Sequence, residues 1–344
     1  MGPLVQALRA GSAVLRGAHR GARVFGAAAL ASAMLLGVLC KAVTTMRVAT
    51  LAPKESPWGK VFRAWSKAVH DKTHGAVEVS WLWNGVGGPE RTVVGKIRTG
   101  ELAGAALTAT GLASVYKPIV ALQMPGAFDT WAELDNARAA LRPEFDAQLS
   151  KAGFEVVGWG DVGRARTFSK GFEVRLPEDL RGHTPVMQMD DSIAPKVFEI
   201  IGKVTGRPGD VNEILPMLEN GAADVVTAPA LAVEQLQWAS RLDHLNTGVV
   251  GFGIGASVIG RRALDQLTAD QREILFDTGR RASDILQREI RKEDDAAFDR
   301  LRQKMIVHEP TDAERAAWHD VWKKACIRVK EALPGDVLAK IGYC

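Results

Sequence analysis

Arg164 and Arg166, separated only by Ala165, could hold a small anion, because a guanidinium presents a planar fork of donors that matches a carboxylate. In an extended strand the two share one face and Ala165 takes the other. Two roles fit them: contact with a ligand, or structural and solvent-exposed ion pairing. Catalytic chemistry finds no comparable footing. The sequence holds no Gly-x-Ser-x-Gly elbow, no His-Glu-x-x-His helix and no phosphate loop. Its seven histidines, among them His70, His74 and His183, lack zinc-ligand spacing, and three cysteines make no metal box. No cofactor is therefore expected. Cys326 and Cys344, close together near the end of the chain, either pair as a disulfide in an oxidising compartment or stay as two unrelated thiols.

The elements that must position such residues come from a chain of 344 residues, 47% hydrophobic and 24% charged, enough for two lobes with separate cores. The net charge of +4 owes much to Arg9, Arg16, Arg20 and Arg23, so the body is close to neutral and nucleic-acid binding is not indicated. Those arginines precede an apolar run from Val24 to Cys40, which has the form of a secretory leader. At about 16 residues it is shorter than the roughly 20 needed to span a membrane. Cleavage near residues 42–45, retention as an anchor, and lipidation at Cys40 all fit, although Leu39 stands where lipidation sites favour a small residue. A periplasmic location is expected.

After the leader the periodicities alternate. Residues 46–51 read as a strand, and Ser56-Pro57 as the cap and first turn of a helix carrying Trp58, Val61, Phe62, Trp65 and Val69 on one face. Val77, Val79, Trp81 and Trp83 alternate as a strand, a helix follows from Pro89 to Gly100, and residues 103–110 form a small-residue strand. This βαβαβ order predicts a largely parallel sheet. A capping box at Thr130 starts a helix reaching about residue 152. Residues 154–159 and 164–169 read as two strands, the second leaving the first lobe, and residues 247–260 bring the chain back. A second box at Thr268 begins a helix to about Met305, its inner face marked by Ile274, Thr278, Ala282, Ile285, Ala297, Leu301 and Met305. It would be roughly 55 Å long and span both lobes. A third box at Thr311 opens a last helix whose Trp318, Val321, Trp322, Ala325 and Val329 read as a core stripe.

Several blocks in this order carry a resemblance: Ser56-Pro57, Asn84 to Gly88, Gly100-Glu-Leu-Ala-Gly104, Gly163-Arg-Ala-Arg166, Pro177-Glu-Asp-Leu-Arg-Gly182, Leu218-Glu-Asn-Gly-Ala-Ala-Asp224, and the long helix after Leu267. Together they resemble the solute-binding subunits of TRAP transporters, the dicarboxylate-binding-protein-like family, over about residues 46–330. The resemblance implies an α/β, two-lobed periplasmic-binding-protein-like fold of the class II type, each lobe a mixed, mostly parallel sheet flanked by helices, with a long connecting helix. It implies a receptor that is not an enzyme and that delivers a small-molecule ligand to integral membrane subunits. A separate periplasmic helical-repeat protein is the other partner considered. The expected division is 1–45 leader or anchor, 46–165 first lobe with return strands at about 247–262, 166–246 second lobe, 263–306 connecting helix and 307–344 C-terminal tail.

The chain also departs from the family. Val186 falls where the family's carboxylate-binding Arg belongs, and Thr227 and Ala228 replace cleft-facing polar and charged groups. The departure points to an uncharged or largely apolar ligand, because an unpaired carboxylate would meet a desolvation cost of several kcal/mol. Arg164 or Arg166 would have to substitute if the ligand were an organic acid. The other candidates for the cleft are Trp58, Trp83, Thr108, Thr110, Met187, Gln188, Thr227, Trp238 and Phe252, with core packing the competing role for the aromatic ones.

Overall fold

The computed structural model describes residues 43–344; the leader, with Cys40, lies outside the described residues. The chain starts with β1 (Thr44–Thr50), α1 (Pro57–Lys72), β2 (Val77–Leu82), α2 (Glu90–Thr99) and β3 (Gly104–Thr108). Local chemistry sets these limits. The Ser56 hydroxyl accepts from Gly59 N at the start of α1, and Gly100, at φ 86°, closes α2 in the left-handed region that favours glycine. β1 pairs in parallel with both β2 and β3.

Beyond β3 the sheet is mixed. The strand order is β2-β1-β3-β8-β4-β7, where β4 is Phe154–Ser169, β7 Val225–Pro229 and β8 His244–Gly260, and the pairs β3·β8, β8·β4 and β4·β7 are antiparallel. A short β9 (Ile306–His308) pairs with β8. The two strands expected at 154–159 and 164–169 are one strand of 16 residues, so the lobe limit placed at 165/166 falls inside β4. Irregularities in its pairing with β8 at Val156/Gly158, Asp161/Gly163 and Ala165/Thr167 bend the ribbon without ending it. β5 (Val186–Gln188) pairs with β6 (Arg207–Gly209) in a separate two-stranded sheet.

Helices cover these sheets. A five-residue helix, α3 (Ala109–Ala113), follows β3 directly, so Thr110 sits on a helix and not on the strand end expected for it. The capping box at Thr130 opens α4 (Trp131–Lys151). Between β4 and β8 lie α5 (Ala194–Ile201), α6 (Ile214–Glu219) and α7 (Ala230–Gln235), and α8 (Arg261–Leu264) follows β8.

The long helix α9 (Ala269–Arg302) has 34 residues, roughly 51 Å, and stops three residues before Met305. It packs on β4, α1 and α7. Its buried face is Leu275, Thr278, Gly279, Leu286, Ile290, Asp294, Ala297 and Leu301, which keeps Thr278, Ala297 and Leu301 of the expected face; Ile285 is exposed. Two of the added residues are Gly279 and Asp294. Gly279 lets β4 come close at Val157, and the Asp294 carboxylate accepts from Arg164 N at 2.8 Å and Leu231 N at 3.0 Å. A hydrophobic count alone overlooks both. The last helices are α10 (Asp312–Lys330) and α11 (Val337–Lys340), with Cys326 and Cys344 joined as a disulfide, Cα atoms 6.1 Å apart. No helix among the described residues is long and apolar enough to cross a membrane.

Candidate ligand-binding site

A cavity of about 370 Å³ lies between β3, β4 and β8 on one side and the segments 186–198, 211–214 and 226–238 on the other. That volume is in the range of small-molecule sites. β4 and β8 form its floor through small residues, from Gly158 to Thr167 and from Val250 to Ser257.

Most of the residues expected at the cleft line this cavity: Trp58, Thr108, Thr110, Met187, Gln188, Thr227, Trp238 and Phe252. Trp58 is buried, and its indole N–H donates to the Asp161 carbonyl at 3.3 Å, which fixes the ring across the floor. Thr108 caps α3, and its hydroxyl and backbone N–H both donate to Glu90. Burial pushes the Glu90 carboxyl up, against the lowering effect of those bonds. Thr227 faces Thr167 across β7 and β4, the hydroxyl oxygens 3.5 Å apart. Phe252 meets Trp131 edge-on, centroids 4.6 Å apart.

Three of the expected residues do not line the cavity. Trp83 lies beyond the end of β2 and stacks on Trp81 at 5.3 Å, which in turn stacks on Phe62 at 4.5 Å, and it is Phe62 that reaches the cavity. Arg164 and Arg166 share a face as alternation requires, and that face turns toward α9, leaving Ala165 in the cavity wall. Arg164 pairs with Asp295 at 3.0 Å and lies over Trp131. Arg166 is buried against Asp294, 4.0 Å away, with its guanidinium carbon 3.8 Å from the Phe298 ring centroid. Burial lowers its affinity for a proton, and Asp294 partly restores it. Neither arginine lines the cavity.

The charged groups that do reach the cavity are acidic. Asp161 is 2% exposed, and its carboxylate takes Arg138 Nη1 and Arg291 Nε, each at 2.7 Å; both arginines also bond Asp135. This four-residue network ties α4, β4 and α9 together and neutralises the floor. Burial acts to raise the Asp135 carboxyl, but the Arg291 and Arg138 bonds outweigh it and hold the group below its usual range. Asp190 pairs with Arg91 at 3.1 Å. Asp191 accepts from Ile193 N and Ala194 N, and burial nonetheless pushes its carboxyl up, toward the neutral form. Among the described residues, no Lys, Arg or His lines the cavity.

Trp318 and Trp322 line the cavity too, although their spacing on α10 reads as core. Both readings hold for Trp322, which is 6% exposed and packed under Gly126. Nothing in a helical stripe tells a core wall from a cavity wall, so no sequence signal marks these two residues.

A two-lobed α/β fold closed around a cavity between its lobes is the architecture of extracytoplasmic solute-binding proteins. The chain belongs to the bacterial extracellular solute-binding proteins, family 7, which it matches over residues 48–331. A curated solute-binding protein of Chromohalobacter salexigens is 24% identical over 204 residues, an alignment that spans 56% of this chain and 59% of that protein. Among solved structures, the fold is similar to a TRAP periplasmic solute-binding protein of Sulfurospirillum deleyianum with bound succinate (TM-score 0.82, 17% identity, 88% of this chain and 99% of the other). It is equally similar to a sugar acid binding protein of Advenella mimigardefordensis in complex with galactonate (TM-score 0.82, 16% identity, 87% and 97%). At these identities the likeness is one of fold.

Proposed function

We propose that this protein is the extracytoplasmic receptor of a TRAP-type secondary transporter and that it takes an uncharged, largely apolar solute. The two lobes close on the solute, and integral membrane subunits receive it. Export to the periplasm through the leader of residues 1–45 belongs to the same reading, as a cleaved signal or as a retained anchor. The observation that carries the choice of solute is the absence of any basic side chain from the cavity lining among the described residues. A carboxylate entering it would shed its water without finding a cation, next to Asp190 and Asp191, at a cost of several kcal/mol. The solved relatives named above bind succinate and galactonate, both carboxylates. Val186, which lines the cavity where the family's carboxylate-binding Arg would fall, offers no such cation. Affinity would arise because an apolar solute touches both lobes only in the closed form, which shifts the hinge equilibrium.

Native mass spectrometry of freshly purified protein tests this reading. A neutral or hydrophobic molecule carried through purification is the expected result. Recovery of a tightly bound simple dicarboxylate would overturn it.

A further inference from the structure

The cavity does not end at the polar residues between the lobes. Its lining runs along β8 from Val250 to Ser257, seven steps of about 3.3 Å, or roughly 23 Å of strand. Register fixes what stands at each end. Ser257 pairs with Ala106 and Gly255 with Thr108, so Thr108 stands two residues inside the Ser257 end, with Thr110 close by in sequence. At the other end, the Val250 carbonyl accepts from Gly126 N, and Gly126 packs directly on the Trp322 ring.

The wall around Val250 is apolar apart from Gln123. It is made by Val120, Leu180, Val197, Trp318 and Trp322. The indole N–H of Trp318 is already committed to the Arg175 carbonyl at 2.9 Å, so that ring offers only its apolar surface. This wall is also fastened in place. Cys326, one turn beyond Trp322 on α10, is bonded to Cys344, and the neighbouring Tyr343 hydroxyl donates to the Pro125 carbonyl at 2.6 Å. The C-terminal segment is thereby pinned to the 123–126 turn that closes the cavity beside Val250.

Taking the neutral-solute reading as its basis, we propose that this end is a tail subsite. The solute class is then an elongated neutral amphiphile, with its polar group near Thr108, Thr110 and Gln188 and an alkyl or aryl tail against Trp318 and Trp322. Trp318 and Trp322 select for tail length.

Displacement of the neutral fluorophore N-phenyl-1-naphthylamine by unbranched primary amides of four to ten carbons tests the proposal on the full exported chain. Each added methylene should tighten binding about fourfold until the subsite is full, the factor that corresponds to about 0.8 kcal/mol per buried CH₂. Trp318→Ala should flatten the gain for the longer amides and leave the shortest unchanged. Val120→Phe, which fills the same end, should move the optimum to a shorter chain, and it carries the test if the first variant does not fold. Equal affinity for every length, or unchanged length dependence in the folded variants, would overturn the tail subsite and leave the neutral-solute reading standing. Binding of neither fluorophore nor amides, with a carboxylate bound instead, would overturn both.

Discussion

Glu90 shows how a single side chain can matter to a cleft without touching its solute. It reaches Thr108 at the junction of β3 and α3, and burial raises its carboxyl above the ordinary value of 4.5. A raised acid favours the fold while protonated. Its contribution is fully present below about pH 4.5 and is lost as pH rises through the higher value of the folded state. Glu90→Gln keeps an oxygen to accept from Thr108 and does not titrate. The melting temperature of the variant relative to the wild type should therefore climb from pH 4 to pH 8, as scanning calorimetry at a series of pH values would record. A constant difference would mean that Glu90 titrates normally. Arg166 is the opposite lesson at this scale. Its type and position suggested anion binding, while its burial against Asp294 and Phe298 makes it part of the joint between β4 and α9.

At the scale of elements, that joint depends on the irregular backbone of β4. Gly163 has φ 138°, a conformation essentially confined to glycine, and a Cβ there would lie 2.6 Å from both the Asp294 carboxyl carbon and the Pro229 side chain. Gly163→Ala should cost about 3 kcal/mol, near the top of the range for backbone strain, because a steric clash adds to it. Gly153 is the control. It too has a positive φ, 90°, but nothing lies within 4 Å of its Cβ position, so Gly153→Ala should cost about 1 kcal/mol. Urea unfolding of the two variants measures the difference, and equal costs would show that the contact with Asp294 is unimportant. Helix starts were legible in the sequence because each is a local event: the boxes at Thr130, Thr268 and Thr311 all form. The run from residue 154 to 169 was not legible as one strand, because only pairing with β8 carries it through its bulges.

For the molecule as a whole, the C-terminal segment joins parts of the chain that are distant in sequence. α10 packs on α5, Lys340 pairs with Glu144 at 2.5 Å, and Cys326 and Cys344 close an 18-residue span. Loop-closure entropy gives a bridge of this span about 3 kcal/mol. Cys344→Ser should lower stability by about that amount, and the variant should be indifferent to a reductant that brings the wild type down to match it. Thermal unfolding with and without reductant provides the check. Arg91 with Asp190 at 3.1 Å, and Asn212 Nδ2 with the Asn84 carbonyl at 3.0 Å, join the segments that flank the cavity.

Periodicity and caps, which act within a few residues, determined from sequence alone that this is an α/β chain with a long helix, and the order of its blocks carried the family. That Val186, and not an arginine, stands at this place was also a matter of sequence, since it needs only one residue type at one position. The direction in which Arg164 and Arg166 point was decided by tertiary structure. Alternation assigns two residues to the same face, but only the packing of α9 says whether that face meets a helix or a solute. The same holds for Trp318 and Trp322. An apolar stripe must be buried, and whether it is buried against side chains or against a cavity depends on elements far away in the chain.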